Sequence, residues 1–166
     1  MVPRAAELVR LDFDPPHRPP LAGRVLVATI VAIVGSLVAD AVVAALTVAT
    51  FPSTKGYPHF RFGDYGKLTV VGVIIACIGW PIVARVTSAP RWLFVRLAVL
   101  VTIVLLLPDF YLLYQGQPAK AVAGLMVMHV LIAVVTYNAL VRIAPVRPLR
   151  RRAPGPAHLR TGSPTY

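Results

Sequence analysis

The chain has 166 residues, 57% of them hydrophobic and 14% charged, and its 17 Lys/Arg against 6 Asp/Glu give a net charge of +11. That apolar share exceeds the ~45–50% of ordinary water-soluble domains, and the length suits one small bundle with no further soluble domain. The basic residues sit in tails and short loops rather than on a folded face, which argues against nucleic acid and for contact with a lipid bilayer and its anionic lipids.

Residues 1–20 are polar, carry Glu7, Asp12 and Asp14, and end in a proline-rich run. They read as a cytoplasmic tail. The apolar stretch that follows is longer than the ~7–15-residue core of a signal peptide, and Asp40 spoils the only small-residue cleavage pattern, so the stretch is expected to stay as a helix. Four nearly uncharged runs then follow, at about 25–51, 68–84, 92–114 and 121–141. Each is close to the ~20 apolar residues that a helix needs to cross ~30 Å of hydrocarbon. The expected fold is all-α: a polytopic membrane protein with a four-helix transmembrane domain over residues 21–144.

The first span places Ala28, Ala32, Ser36, Asp40 and Ala44 at four-residue spacing, which puts them on one face of a helix. Small residues so spaced let helices approach closely in lipid, where packing replaces the hydrophobic drive. The connection over 52–66 holds Tyr57, His59, Phe60, Phe62 and Tyr65 among glycines and prolines. Rings of this kind suit the headgroup layer, with Asp64 a candidate N-cap for the second span. That span contains the single cysteine, Cys77. One thiol forms no internal disulfide, and it reads as a small buried hydrophobe. Pro81 and Pro108 interrupt the second and third spans. Pro108 removes a donor one turn from the Val104 carbonyl and marks a kink or wet spot.

Orientation follows from the basic residues. The N-terminal tail, the second connection and the C-terminal tail hold 13 Lys/Arg, and the other two connections hold 4. The positive-inside rule therefore sets both termini in the cytoplasm, the N-in/C-in arrangement of a multi-pass protein of the inner (plasma) membrane. Residues 145–166 are Pro- and Arg-rich without apolar periodicity and read as a disordered basic tail. Its Arg150, Arg151 and Arg152 are candidates for contact with anionic lipid, at about 1 kcal/mol each, although enforcing topology explains them as well.

Ionisable groups at membrane depth cost roughly 2.5–3.5 kcal/mol each on insertion scales, which makes them functional candidates. At ~1.5 Å per residue, Asp40 lies ~16 Å from the outer end of its span, His129 ~13 Å from the same side and Asp109 ~10 Å. Asp40 and His129 thus arrive at similar depth and are expected to pair, while Asp109 is expected near the interface as a solvated acid or helix-end group. Together they are the candidate intramembrane polar site. A polar clamp between helices, worth ~0.6–2 kcal/mol, is the plainer explanation. Tyr137 and Asn138 are weaker signals, and Met126 and Met128 cannot both share the face of His129, so they are poor metal ligands. No cofactor or metal is expected.

The segments Phe62-Gly63-Asp64-Tyr65-Gly66-Lys67-Leu68-Thr69-Val70, Ser88-Ala89-Pro90-Arg91-Trp92, Leu107-Pro108-Asp109, Met126-Val127-Met128-His129 and Thr136-Tyr137-Asn138 carry a resemblance. The chain resembles an actinobacterial family of small four-helix membrane proteins of unknown function over roughly residues 21–142. The resemblance implies a four-span fold in a cell envelope and supplies no active-site residues. Without a catalytic constellation, the preferred expectation is a non-enzymatic accessory or assembly component of the envelope. It would pack through the first-span stripe on a protein partner or a second copy. The alternative is a small proton-coupled transporter, or a lipid- or ligand-binding module, using Asp40 and His129. Internal repeats that would favour a transporter are not evident. A membrane enzyme ranks third, since only His59, Asp64 and Asp109 gather near the outer surface.

Overall fold

The four apolar runs form four helices: α1 (Ala22–Thr50), α2 (Phe62–Val86), α3 (Pro90–Tyr114) and α4 (Ala119–Ile143). The computed structural model describes residues 16–149. Helices of 29, 25, 25 and 25 residues run ~37 Å or more, enough to cross ~30 Å of hydrocarbon with a tilt. The chain is a four-helix, multi-pass membrane protein.

Each helix outruns the expected span by a few residues. The largest difference is at α2, which begins at Phe62 rather than Leu68. Its glycine-rich first turn reads as loop in sequence, yet it is helical while Phe62, Gly63 and Asp64 stay exposed. Arg61 is therefore the N-cap, and Asp64 is a first-turn residue rather than the cap. There its charge still faces the positive end of the helix. The remaining connection is two short 3₁₀ turns, Pro52–Thr54 and Pro58–Phe60, each opened by proline, whose fixed φ suits that position. Between them Gly56 takes φ 84°, which a side chain would strain. Helices α2 and α3 continue through Pro81 and Pro108.

In cross-section the bundle is a rhombus. α4 packs along α1 on one side and α3 on the other and touches α2 across the short diagonal, while α1 and α3 sit apart. The first-span stripe is used up inside this arrangement. Ala28, Ala32, Ser36 and Asp40 are all 0% exposed. Ala44 departs from expectation and is only half-buried, with Val43 and Thr47 taking the inward positions. The reason is geometric. A four-residue step overshoots one helical turn by ~40°, so a long run of such steps rotates off the face, and one three-residue step restores it. No part of the buried stripe is left for a partner.

The end of the bundle with the α2–α3 turn is aromatic. Trp80, fully buried, donates its indole N–H to the Ala144 carbonyl at 2.8 Å. Phe94 packs on it at 4.9 Å between ring centroids, and Tyr137 stacks on Phe94 at 5.9 Å. Cys77 lies in the same core as a free thiol. Beside this core β1 (His17–Arg18) pairs antiparallel with β2 (Arg147–Pro148). Arg147 Nε donates to the Pro19 carbonyl, and His17 Nε2 donates to the Ala84 carbonyl at 2.9 Å. Residues 16–20 and 145–149, expected in the tails, thus belong to the fold as a clasp. Strand pairing across the two ends overrides their composition. The other tail residues, including Arg150, Arg151 and Arg152, lie outside the described residues.

Candidate functional site

The other half of the bundle, under the α1–α2 connection, holds the polar groups. Asp40 comes from α1, Thr69 from α2, Asp109 from α3 and His129 from α4. The expected Asp40–His129 hydrogen bond is not formed. His129 Nδ1 instead donates to Asp109 Oδ2 at 2.9 Å, and Asp40 Oδ2 accepts the Thr69 hydroxyl at 2.7 Å. His129 turns toward α3, whereas Asp40 looks toward α2. Asp40 nonetheless stays within electrostatic range of the His129 imidazole that Asp109 binds directly.

Asp109 is also more buried than its distance from the helix end suggests, at 3% exposed. The loop accounts for this. Tyr57 is buried against Val43, Ala121, Leu125 and Met128, with Phe60 and Leu112 around the same cluster. His59 and Phe60 pack edge-on to the Tyr57 ring. Tyr57 therefore folds down over the polar site as a lid, while His59 and Phe62 stay exposed, as an interfacial loop would have them. Burial pushes the Tyr57 phenol above its ordinary range, and the negative charge of Asp109 adds to that. His59 is close enough to be felt at Asp109.

Several buried polar atoms have no hydrogen-bond partner among the described residues: Asp40 Oδ1, the Tyr57 hydroxyl, Ser36 Oγ and, toward the other end, Thr136 Oγ1. Buried polar atoms of this kind are uncommon and call for a reason. Asp40 has one oxygen filled by Thr69 and the other open. An imidazole hydrogen-bonded to a carboxylate is a group that can hold a proton between its two members. Among the described residues, no three His, Cys, Asp or Glu side chains converge for a metal.

Two members were missed from sequence. Thr69 is a single hydroxyl in an apolar span, a signal weak by itself, and Tyr57 passed as an interfacial ring. Asn138 and Tyr137 stay outside the site, since Asn138 bonds the Val134 carbonyl of its own helix and Tyr137 joins the aromatic stack.

Compared with curated proteins and with solved structures, the chain finds no match. A family model does match, over residues 16–145, which takes in β1 and all four helices and stops just before β2. The chain therefore belongs to the Family of unknown function (DUF6069).

Proposed function

We propose that this protein is a non-enzymatic, proton-responsive module of the plasma membrane, with both termini in the cytoplasm. The observation that carries the reading is the Asp109–His129 pair at 2.9 Å, held beneath the Tyr57 lid and within reach of a second buried carboxylate, Asp40. Paired ionisable groups at membrane depth are costly, and they recur where protons are bound or moved. Every element around the pair contributes a titratable group: Asp40 from α1, Tyr57 and His59 from the lid, Tyr65 from α2, Asp109 from α3 and His129 from α4. Coupling of that proton to transport, or to a bound ligand, is the finer form of the same reading.

The test is infrared difference spectroscopy of the full chain in lipid discs, taken between about pH 5 and 8, the range in which imidazole ordinarily titrates. A carboxyl C=O band should change with pH in the wild type and be altered by both Asp109→Asn and Asp40→Asn. A wild-type spectrum without such a change, or a change that survives in the double variant, would sink the reading.

A second reading, an accessory or assembly component of the envelope, draws on α3. Between Phe94 and Asp109 none of its residues is buried in the fold. This face, not the α1 stripe, is where a protein partner or second copy would dock. Purification in mild detergent separates the readings, because an accessory subunit should carry a stoichiometric partner through that step.

A further inference from the structure

Among the described residues, the positive charge at the aromatic end is unopposed. The three acids among the described residues, Asp40, Asp64 and Asp109, all belong to the other half of the bundle. Around the α2–α3 turn Arg85, Arg91 and Arg96 are exposed, and Arg18 and Arg147 of the clasp are exposed beside them. The only ion pair among the described residues is His129–Asp109, so no described carboxylate neutralises this face.

The same end holds a cavity of about 300 Å³ between the α2–α3 turn and the clasp. His17, Ser88, Arg91, Trp92 and Val146 line it. Arg96 lies over the Trp92 ring, 3.6 Å from its centroid, which fixes the indole at the rim as a flat wall. The α3 helix starts at Pro90 in the cavity wall, adding the positive end of its dipole. From Arg91, Val95, Val99 and Ile103 follow at four-residue spacing, winding gradually round α3, and all are exposed. A shallow, largely apolar hollow with Arg91 in its lining thus opens onto an apolar strip that descends along α3.

We propose that this cavity is a headgroup site for an anionic phospholipid, the phosphate held by Arg91 and the acyl chains lying along Val95, Val99 and Ile103. A guanidinium matches phosphate oxygens bidentately, and Ser88 supplies a hydroxyl donor. The apolar strip distinguishes a lipid from a free anion, which would gain nothing from it. Positive-inside topology puts the hollow in the cytoplasmic leaflet, where anionic lipids concentrate. The site is independent of the proton-responsive cluster in the other half of the bundle.

The experiment uses the full chain in phosphatidylcholine vesicles containing a minor share of phosphatidylglycerol, with bromine on the acyl chains of one lipid or the other. Bromine quenches tryptophan fluorescence on contact. Trp92 reports on the cavity, and Trp80, at 0% exposed, gives a constant background. Brominated phosphatidylglycerol should quench beyond its share of the bilayer. Arg91→Ala should weaken that preference about fivefold, Arg91→Lys should keep part of it, and alanines at Arg150, Arg151 and Arg152 together should leave it intact. Arg91→Ala without effect, or loss of the preference in the triple tail variant, would overturn the site. Relief of quenching by inorganic phosphate would identify a free-anion site instead and overturn the lipid assignment.

Discussion

At the arginine-rich end the bundle core is nearly dry: a fully buried indole with its N–H satisfied by Ala144, aromatic rings in contact and a free thiol that packs as a hydrophobe. At the other end the same four helices enclose two carboxylates and an imidazole under a lid, with Asp40 Oδ1 and the Tyr57 hydroxyl left open. The first half, Thr136 Oγ1 aside, leaves no unpartnered buried side-chain polar atom among its described residues. The second keeps costly groups under-satisfied where burial is nearly complete. Aromatic packing and buried ionisable groups are thus divided between the two halves of the bundle.

Trp80→Ala attacks that division most directly. It removes a fully buried ring and strands the Ala144 carbonyl, and should cost about 3–5 kcal/mol, read by unfolding in mixed micelles. A cost below about 1 kcal/mol would mean that aromatic packing does not hold that end together. Gly124→Ala tests how tightly the polar end is closed. A Cβ there stands 2.9 Å from Thr47 Oγ1 and 3.1 Å from Phe60 Cζ, so it should cost about 1–3 kcal/mol and loosen the lid to proteolysis. Unchanged stability with a still-protected lid would show slack at that end. The smallest effect belongs to Tyr57. Its phenol is held above its ordinary value by burial and by Asp109, so the folded state keeps the proton longer than the unfolded chain. Stability from this group is complete below pH 10.0, the value unperturbed phenol takes, and is lost as pH rises beyond it. Tyr57→Phe should flatten that alkaline loss in a pH series of the same unfolding assay, whereas an identical slope would show that the lid does not bury the phenol.

The spans and the positions of their polar residues were legible because lipid imposes length and penalises charge. The pairing of His129 was not. Depth can be counted along each helix, but α4 is apolar on nearly every side, so no amphipathic phase says which neighbour a given face meets. The burial of Asp109 was hidden for another reason, since it depends on a loop folding back over the bundle. The clasp was hidden by composition: two-residue strands carry almost no pattern, and their partners lie at opposite ends of the chain.

The Asp40–Thr69 bond has a consequence for how the protein is made. A chain emerges from the ribosome N-terminus first, and α4, which covers α1 most extensively in the finished bundle, is the last helix to arrive. Asp40 must therefore enter the bilayer long before its main shelter exists. Thr69, on the very next helix, gives the carboxylate a donor as soon as the first hairpin is complete. The hydroxyl gives the acid a partner until α4 packs along α1.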